Sequence, residues 1–147
     1  MMTSWLPIEN IQIVDSVNDW QQAILLSAQP LLAKGSINER YIDAIFKSHK
    51  EIGPYYVLAP GLAMPHARPE QGVLKNGLSF LRINKGVFFD ARENDPVYVV
   101  IMLGALSGDE HIHMITALAD ILSDERQFSA LLNASTIEAI QQVINRQ

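Results

Sequence analysis

Apolar residues recur along the chain at two spacings, and the switching between them predicts alternating strands and helices. Residues 11–14, IQIV, form an apolar run of strand length. Behind it, Trp20, Ala23, Ile24, Ser27, Ala28 and Leu31 return every three or four positions through DWQQAILLSAQPLLAK, the repeat of one helix face. Pro30 lies inside that repeat and, lacking an N–H, is expected to kink the helix or end its regular part. SINE (36–39) fits the S-x-x-E capping box and leads into a second helix, YIDAIFKSHK, which Gly53 and Pro54 break. YYVLA (55–59), GLSFLRI (77–83) and VYVVIML (97–103) read as strands. The last is apolar throughout, as burial on both faces requires.

The final third reads as helical. Ser107 and Glu110 make a second capping box ahead of HIHMITALADIL, whose expected inward stripe is Ile112, Ile115, Ala119 and Leu122. A short helix near 128–132 follows, and Ser135 with Glu138 should cap a last helix ending near Asn145. No repeat or linker divides the pattern. It predicts a single α/β domain over residues 1–147, a sheet sandwiched between helices.

Composition narrows the function classes. The chain is 48% hydrophobic, enough for one core, and its net charge is −5 without any basic cluster, which argues against a general nucleic-acid binder. The absence of cysteine excludes disulfides, a thiolate nucleophile and a cysteine zinc site. MMTSWLPIEN lacks a charged head followed by an apolar run, so no secretory signal is expected. The longest apolar stretch, 97–106, is about half of the roughly 20 residues that span a bilayer. We therefore expect a soluble, cytoplasmic protein. No G-x-x-x-x-G-K-[ST] loop and no magnesium-holding carboxylate cluster occur, so a nucleotide donor, a metal and a cofactor are not expected.

Candidate chemistry lies with the histidines. His66 sits in LAPGLAMPHARPE (58–70), stiffened by Pro60, Pro65 and Pro69. Following a strand, this is where α/β folds favour ligand sites, and Pro65 restricts the backbone next to the imidazole. The residues alone leave open a turn histidine or a presented nucleophile. On a helix, His111 lies about 60° from the centre of the expected stripe and His113 about 140° away, so His111 borders the core and His113 faces solvent. His111 is also in a first turn, where free N–H groups favour an anion, although a half-buried histidine capping its own helix fits equally. His49, in FKSHK, reads as part of an exposed helix end. Leu62 and Met64 suit either a docking surface or core. A metal hydrolase using His66, His111 and His113 is the alternative of another class; residues two apart on a helix do not face each other, which argues against it.

GPYYVLAPGLAMPHARPEQGV (53–73) strongly resembles the active-site segment of enzyme IIA components of the bacterial phosphoenolpyruvate-dependent sugar phosphotransferase system, mannitol/fructose type. AMPH fits that family's A-[IVLM]-P-H phosphorylation motif, and the longer run is similar to ascorbate-type and cryptic mannitol-type members. The likeness extends from the DWQQAI helix through DEHIHMITAL to the last helix. It implies a mixed, mostly parallel sheet of about five strands between helices. By the same resemblance, His66 is the catalytic nucleophile, receiving a phosphoryl group on Nε2 from the phosphocarrier HPr and passing it to a IIB component. The membrane IIC component is then met only indirectly, and ascorbate or a mannitol-like hexitol is the implied sugar. His111 corresponds to a second histidine that stabilises the phosphoryl group or orients the nucleophile. Mannitol-type members carry an arginine before the active-site strand, where this chain offers Lys47, His49 and Lys50. Arg68 and His49 are the candidate phosphate-binding substitutes. A stand-alone regulatory phosphohistidine module remains the alternative within the family, and the oligomeric state stays open.

Overall fold

The computed structural model of the chain describes residues 2–145. Five strands form one mixed sheet: β1 (Ile11–Val14), β2 (Val57–Ala59), β3 (Leu62–Ala63), β4 (Gly77–Val87) and β5 (Val97–Gly104), in the order β1-β4-β5-β3-β2. β1 runs parallel to β4 and β3 parallel to β5, while β4–β5 and β2–β3 pair antiparallel. From Val99 to Leu103 the side chains of β5 alternate between two cores, and a register irregularity precedes that stretch. Val99, Ile101 and Leu103 join one, and Val97, Val100 and Met102 the other. An unbroken apolar run is what such two-sided burial demands.

The first core is closed by α1 (Met2–Trp5), α4 (Gly108–Leu122), α5 (Glu125–Asn133) and α6 (Ile137–Asn145). The second is closed by α2 (Trp20–Ala33) and α3 (Glu39–Ile52). Helices therefore cover both faces, as the alternating pattern predicts.

Pro30 does not end α2, which continues to Ala33. The Leu26 carbonyl that a residue-30 N–H would normally engage instead accepts from Gln12 Nε2 of β1 at 2.7 Å. At the next residue, Ser79 Oγ of β4 donates to the Ser27 carbonyl at 2.5 Å. The sheet thus supplies the donor, Gln12, at the one carbonyl that Pro30 leaves without its helical partner.

Several expected details change. Asn38, not Ser36, caps α3, accepting from the Arg40 N–H, while the Ser36 carbonyl accepts from Leu74 and Lys75. Thr136 rather than Ser135 accepts from Ala139 at the start of α6. On α4 the buried residues are Met114, Leu118 and Ile121, whereas Ile112 is 64% exposed and Ala119 is also exposed. That helix has apolar residues around most of its circumference, so two stripes were compatible with the sequence and the sheet selects one. Leu62 and Met64 are buried in the first core and form no docking surface.

Candidate active site

The loop carrying His66 has its backbone tied to the sheet. The Met64 N–H donates to the Tyr56 carbonyl at 2.9 Å, and the Leu103 N–H donates to the Pro65 carbonyl at 3.1 Å. His66 Nδ1 lies 2.8 Å from the Met64 carbonyl oxygen. A carbonyl can only accept, so Nδ1 carries the proton and Nε2 holds the lone pair. The half-buried ring lines a groove of about 640 Å³.

Because β3 and β5 run parallel, the loops after them leave the same end of the sheet. The first carries His66, and the second delivers α4 and His111. The two imidazole centroids are 5.1 Å apart, inclined by 55°. His111 is about 20° from Leu118 in helical projection, so it lies on the buried stripe, one turn beyond the sheet end. Ser107 caps α4 by accepting from the Glu110 N–H at 3.2 Å. Glu110 does not complete the box; its carboxylate accepts from Asn76 Nδ2 at 3.1 Å, and Asn76 Oδ1 accepts from the Leu106 N–H at 2.8 Å. Asn76 thereby anchors both sides of the turn that presents His111. Gly108, the first residue of α4, lines the groove with the anion-favouring end of the helix. Burial, reinforced by the neighbouring His66 ring, lowers the His111 pKa below 6.5. It is therefore neutral at pH 7 and does not repel an approaching cation or protonated ring.

Arg68 also lines the groove. Its turn is held by the Arg68 N–H on Gln71 Oε1 at 2.8 Å and by the Gln71 N–H on the Arg68 carbonyl at 2.9 Å. The exposed guanidinium makes no ion pair among the described residues. His49 is different. It is only 5% exposed, stacked on Trp20 at 3.7 Å and 3°, with Nδ1 2.6 Å from the Tyr56 hydroxyl. Neither an exposed helix end nor a groove ligand, it belongs to the second core. The signal was present: Tyr41, Ile42, Ile45 and His49 share the buried face of α3. His113 is exposed as expected, edge-on to Trp5 at 5.3 Å, and does not line the groove. Among the described residues no three acidic or histidine side chains are grouped to hold a metal.

Sequence reasoning missed Ser48 and Tyr55, which face the groove, and Tyr41, whose hydroxyl lies beneath the loop. Ile52 and Ile112, 72% and 64% exposed, make an apolar rim beside His66 and His111.

Residues 4–147 match the family model for the phosphoenolpyruvate-dependent sugar phosphotransferase system, EIIA 2. The chain belongs to that family. It is a IIA component of this phosphotransferase system, and hence a phosphotransferase. The mannitol-specific cryptic phosphotransferase enzyme IIA component of Escherichia coli is 42% identical over 145 residues, 99% of this chain and 98% of the relative. A solution structure of that E. coli component matches with a TM-score of 0.93 over 99% of both chains. The ascorbate-specific EIIA component of Salmonella typhimurium is 35% identical over 138 residues, 93% of this chain and 90% of the relative. The E. coli complex of enzyme IIA and phosphorylated enzyme IIB for mannitol contains a chain matching at TM-score 0.81 and 28% identity, covering 95% of this chain and 96% of the other. Among the described residues no helix is long and apolar enough to cross a membrane.

Proposed function

We propose that this IIA component, acting as one EIIA type-2 domain over residues 1–147 in the cytoplasm, takes a phosphoryl group from phosphorylated HPr onto His66 Nε2. It then hands the group to a IIB component of a sugar permease. One observation carries the reading: Nδ1 is committed to the Met64 carbonyl, so the only lone pair of the ring is at Nε2, in a groove shared with His111.

In the first step the Nε2 lone pair attacks phosphorus. The bond from phosphorus to the HPr side chain breaks, and its electron pair returns to the donor. The second step repeats this with a IIB side chain as acceptor, leaving His66 free again. Such transfers pass through a loose transition state, so the protein contributes positioning and charge balance rather than covalent help. His111 supplies a hydrogen bond to a phosphoryl oxygen, and Arg68 and the Gly108 end of α4 supply positive potential. A docked partner covers the groove and its apolar rim of Ile52 and Ile112. The relatives favour ascorbate or a mannitol-like hexitol as the transported sugar, which this chain never touches.

The test is incubation with phosphoenolpyruvate, enzyme I and HPr. The expected product is an acid-labile phosphoryl group on His66; undiminished labelling of His66→Ala refutes the assignment. His111→Ala should keep its fold and transfer about 10–100-fold more slowly. Wild-type rates in both directions reject its role.

A further inference from the structure

The peptide unit joining His66 to Ala67 is gripped at both of its polar atoms by tyrosine hydroxyls. Tyr55 Oη donates to the His66 carbonyl. Tyr41 Oη accepts from the Ala67 N–H at 3.0 Å and donates to the Leu103 carbonyl at 2.5 Å. Leu103 is also the residue whose N–H holds the Pro65 carbonyl. The tyrosines come from the two ends of α3, Tyr41 from its first turn and Tyr55 from just beyond its last. Ser48, on the same helix, is hydrogen-bonded to the Tyr55 oxygen. A phenol has one proton, and that of Tyr55 is given to the His66 carbonyl, so the Ser48 hydroxyl is the donor in that pair.

We propose that Tyr55 and Tyr41 are positioning residues for phosphoryl transfer, clamping the His66–Ala67 peptide so that the Nδ1–H of His66 stays on the Met64 carbonyl and Nε2 stays the nucleophile. The proposal rests on His66 being the phosphorylated residue. Pro65 fixes the chain entering His66, and the clamp fixes the chain leaving it. With both sides held, the ring has one low-energy way to satisfy Nδ1. Released, it is free to turn and to put its proton on Nε2, a form with no lone pair at the groove. Burial pushes the Tyr41 hydroxyl up to about 12 and raises that of Tyr55. Both stay protonated, so the clamp holds through the whole neutral range. Tyr55 also sets its ring edge-on to His66, centroids 5.6 Å apart at 79°. Tyr55→Phe keeps that packing and removes only the hydroxyl.

The experiment follows two quantities in wild type, Tyr55→Phe and Ser48→Ala. Single-turnover transfer from phosphorylated HPr gives kcat and KM, and ring 15N NMR of the unphosphorylated protein gives the His66 tautomer. Tyr55→Phe is expected to lose about tenfold in kcat, the worth of one hydrogen bond, with KM unchanged. Its His66 should show a population protonated on Nε2 that wild type lacks. Ser48→Ala should move both readouts the same way by less. Wild-type tautomers in both variants overturn the proposal. A loss confined to KM also overturns it, since that makes Tyr55 a docking contact. Absence of His66 labelling in the unmodified chain is a different failure, that of the phosphocarrier reading itself.

Discussion

Gly72 sits where the turn after His66 meets the start of α3, and adding a single methyl there should be felt in both stability and transfer. Its φ is +140°, a conformation that L side chains rarely adopt. A Cβ at this position would stand 2.4 Å from Asn38 Oδ1, 2.8 Å from the Tyr41 backbone nitrogen and 3.0 Å from Tyr41 Cβ. The Asn38 amide is able to swing away, but its Oδ1 caps α3 through the Arg40 N–H at 3.0 Å, and losing a cap costs about 1 kcal/mol. The Tyr41 nitrogen is backbone, so the first turn of α3 must shift instead. The backbone conformation adds about 1–3 kcal/mol, for a total of about 2–4 kcal/mol. In a domain of this size each kcal/mol lowers Tm by about 2–4 °C, so Gly72→Ala should melt about 5–15 °C below wild type. Gly35→Ala is the control. Its φ is +69° with nothing within 4 Å of the added carbon, so only the conformational cost of about 1–2 kcal/mol applies. Circular dichroism melts of the two variants at one pH decide the matter. If Gly72→Ala melts no lower than Gly35→Ala, the steric argument fails. At a temperature where both are folded, only Gly72→Ala should transfer more slowly, because only it displaces Tyr41.

Two further outcomes follow from the polar groups inside the cores. His49 has its pKa lowered by burial against an opposing pull from Asp90, and His111 by burial and the His66 ring. For both, the unfolded chain takes up the proton first, so stability is full above pH 6.5 and falls as pH drops below it. Urea midpoints should decrease from about pH 7 to 5, above the range in which carboxylates titrate, and His49→Gln should flatten that slope; an unchanged slope removes His49 as a cause. On α2, Gln12→Ala should cost about 1–2 kcal/mol by leaving the Leu26 carbonyl without a donor. Adding Pro30→Ala restores an N–H to the ladder and should recover part of the loss, and a double variant no more stable than Gln12→Ala contradicts that account of the interrupted ladder.

What the sequence revealed follows from where its signals are local. Strand β1 coincides with IQIV, and β5 with its apolar run, because side-chain spacing alone decides such elements. β3 was hidden, since two residues show no period. Its only local mark is Pro60-Gly61, a turn pair in which Gly61 supplies φ +84° and folds β2 back onto it. The placing of His66 on a stiff loop beside a groove was legible through its proline-rich setting. His49 was misread because its lysine neighbours suggested an exposed helix end, while its burial depends on Trp20, 29 positions earlier in the sequence. Tyr55 and Tyr41 were missed for a related reason: their hydroxyl partners are backbone atoms of distant segments, and no side-chain pattern announces those.

His66 and His111 follow adjacent parallel strands, with ring centroids 5.1 Å apart, so the charge of a phosphoryl group on the first would be felt by the second. In the unloaded groove, burial and the neighbouring ring hold His111 neutral. A phosphoryl group on His66 would bring two negative charges within reach of that imidazole, opposing both causes of its lowered pKa and favouring its protonated form. The loaded protein then holds a proton more tightly than the empty one, so by linkage acidity favours the phosphorylated state. Departure of the group towards a partner removes the anion, and burial again disfavours the charge on His111. The same half-buried position would therefore let the charge of His111 follow the arrival and departure of the phosphoryl group. A fully exposed histidine, screened by water, would respond far less to either event.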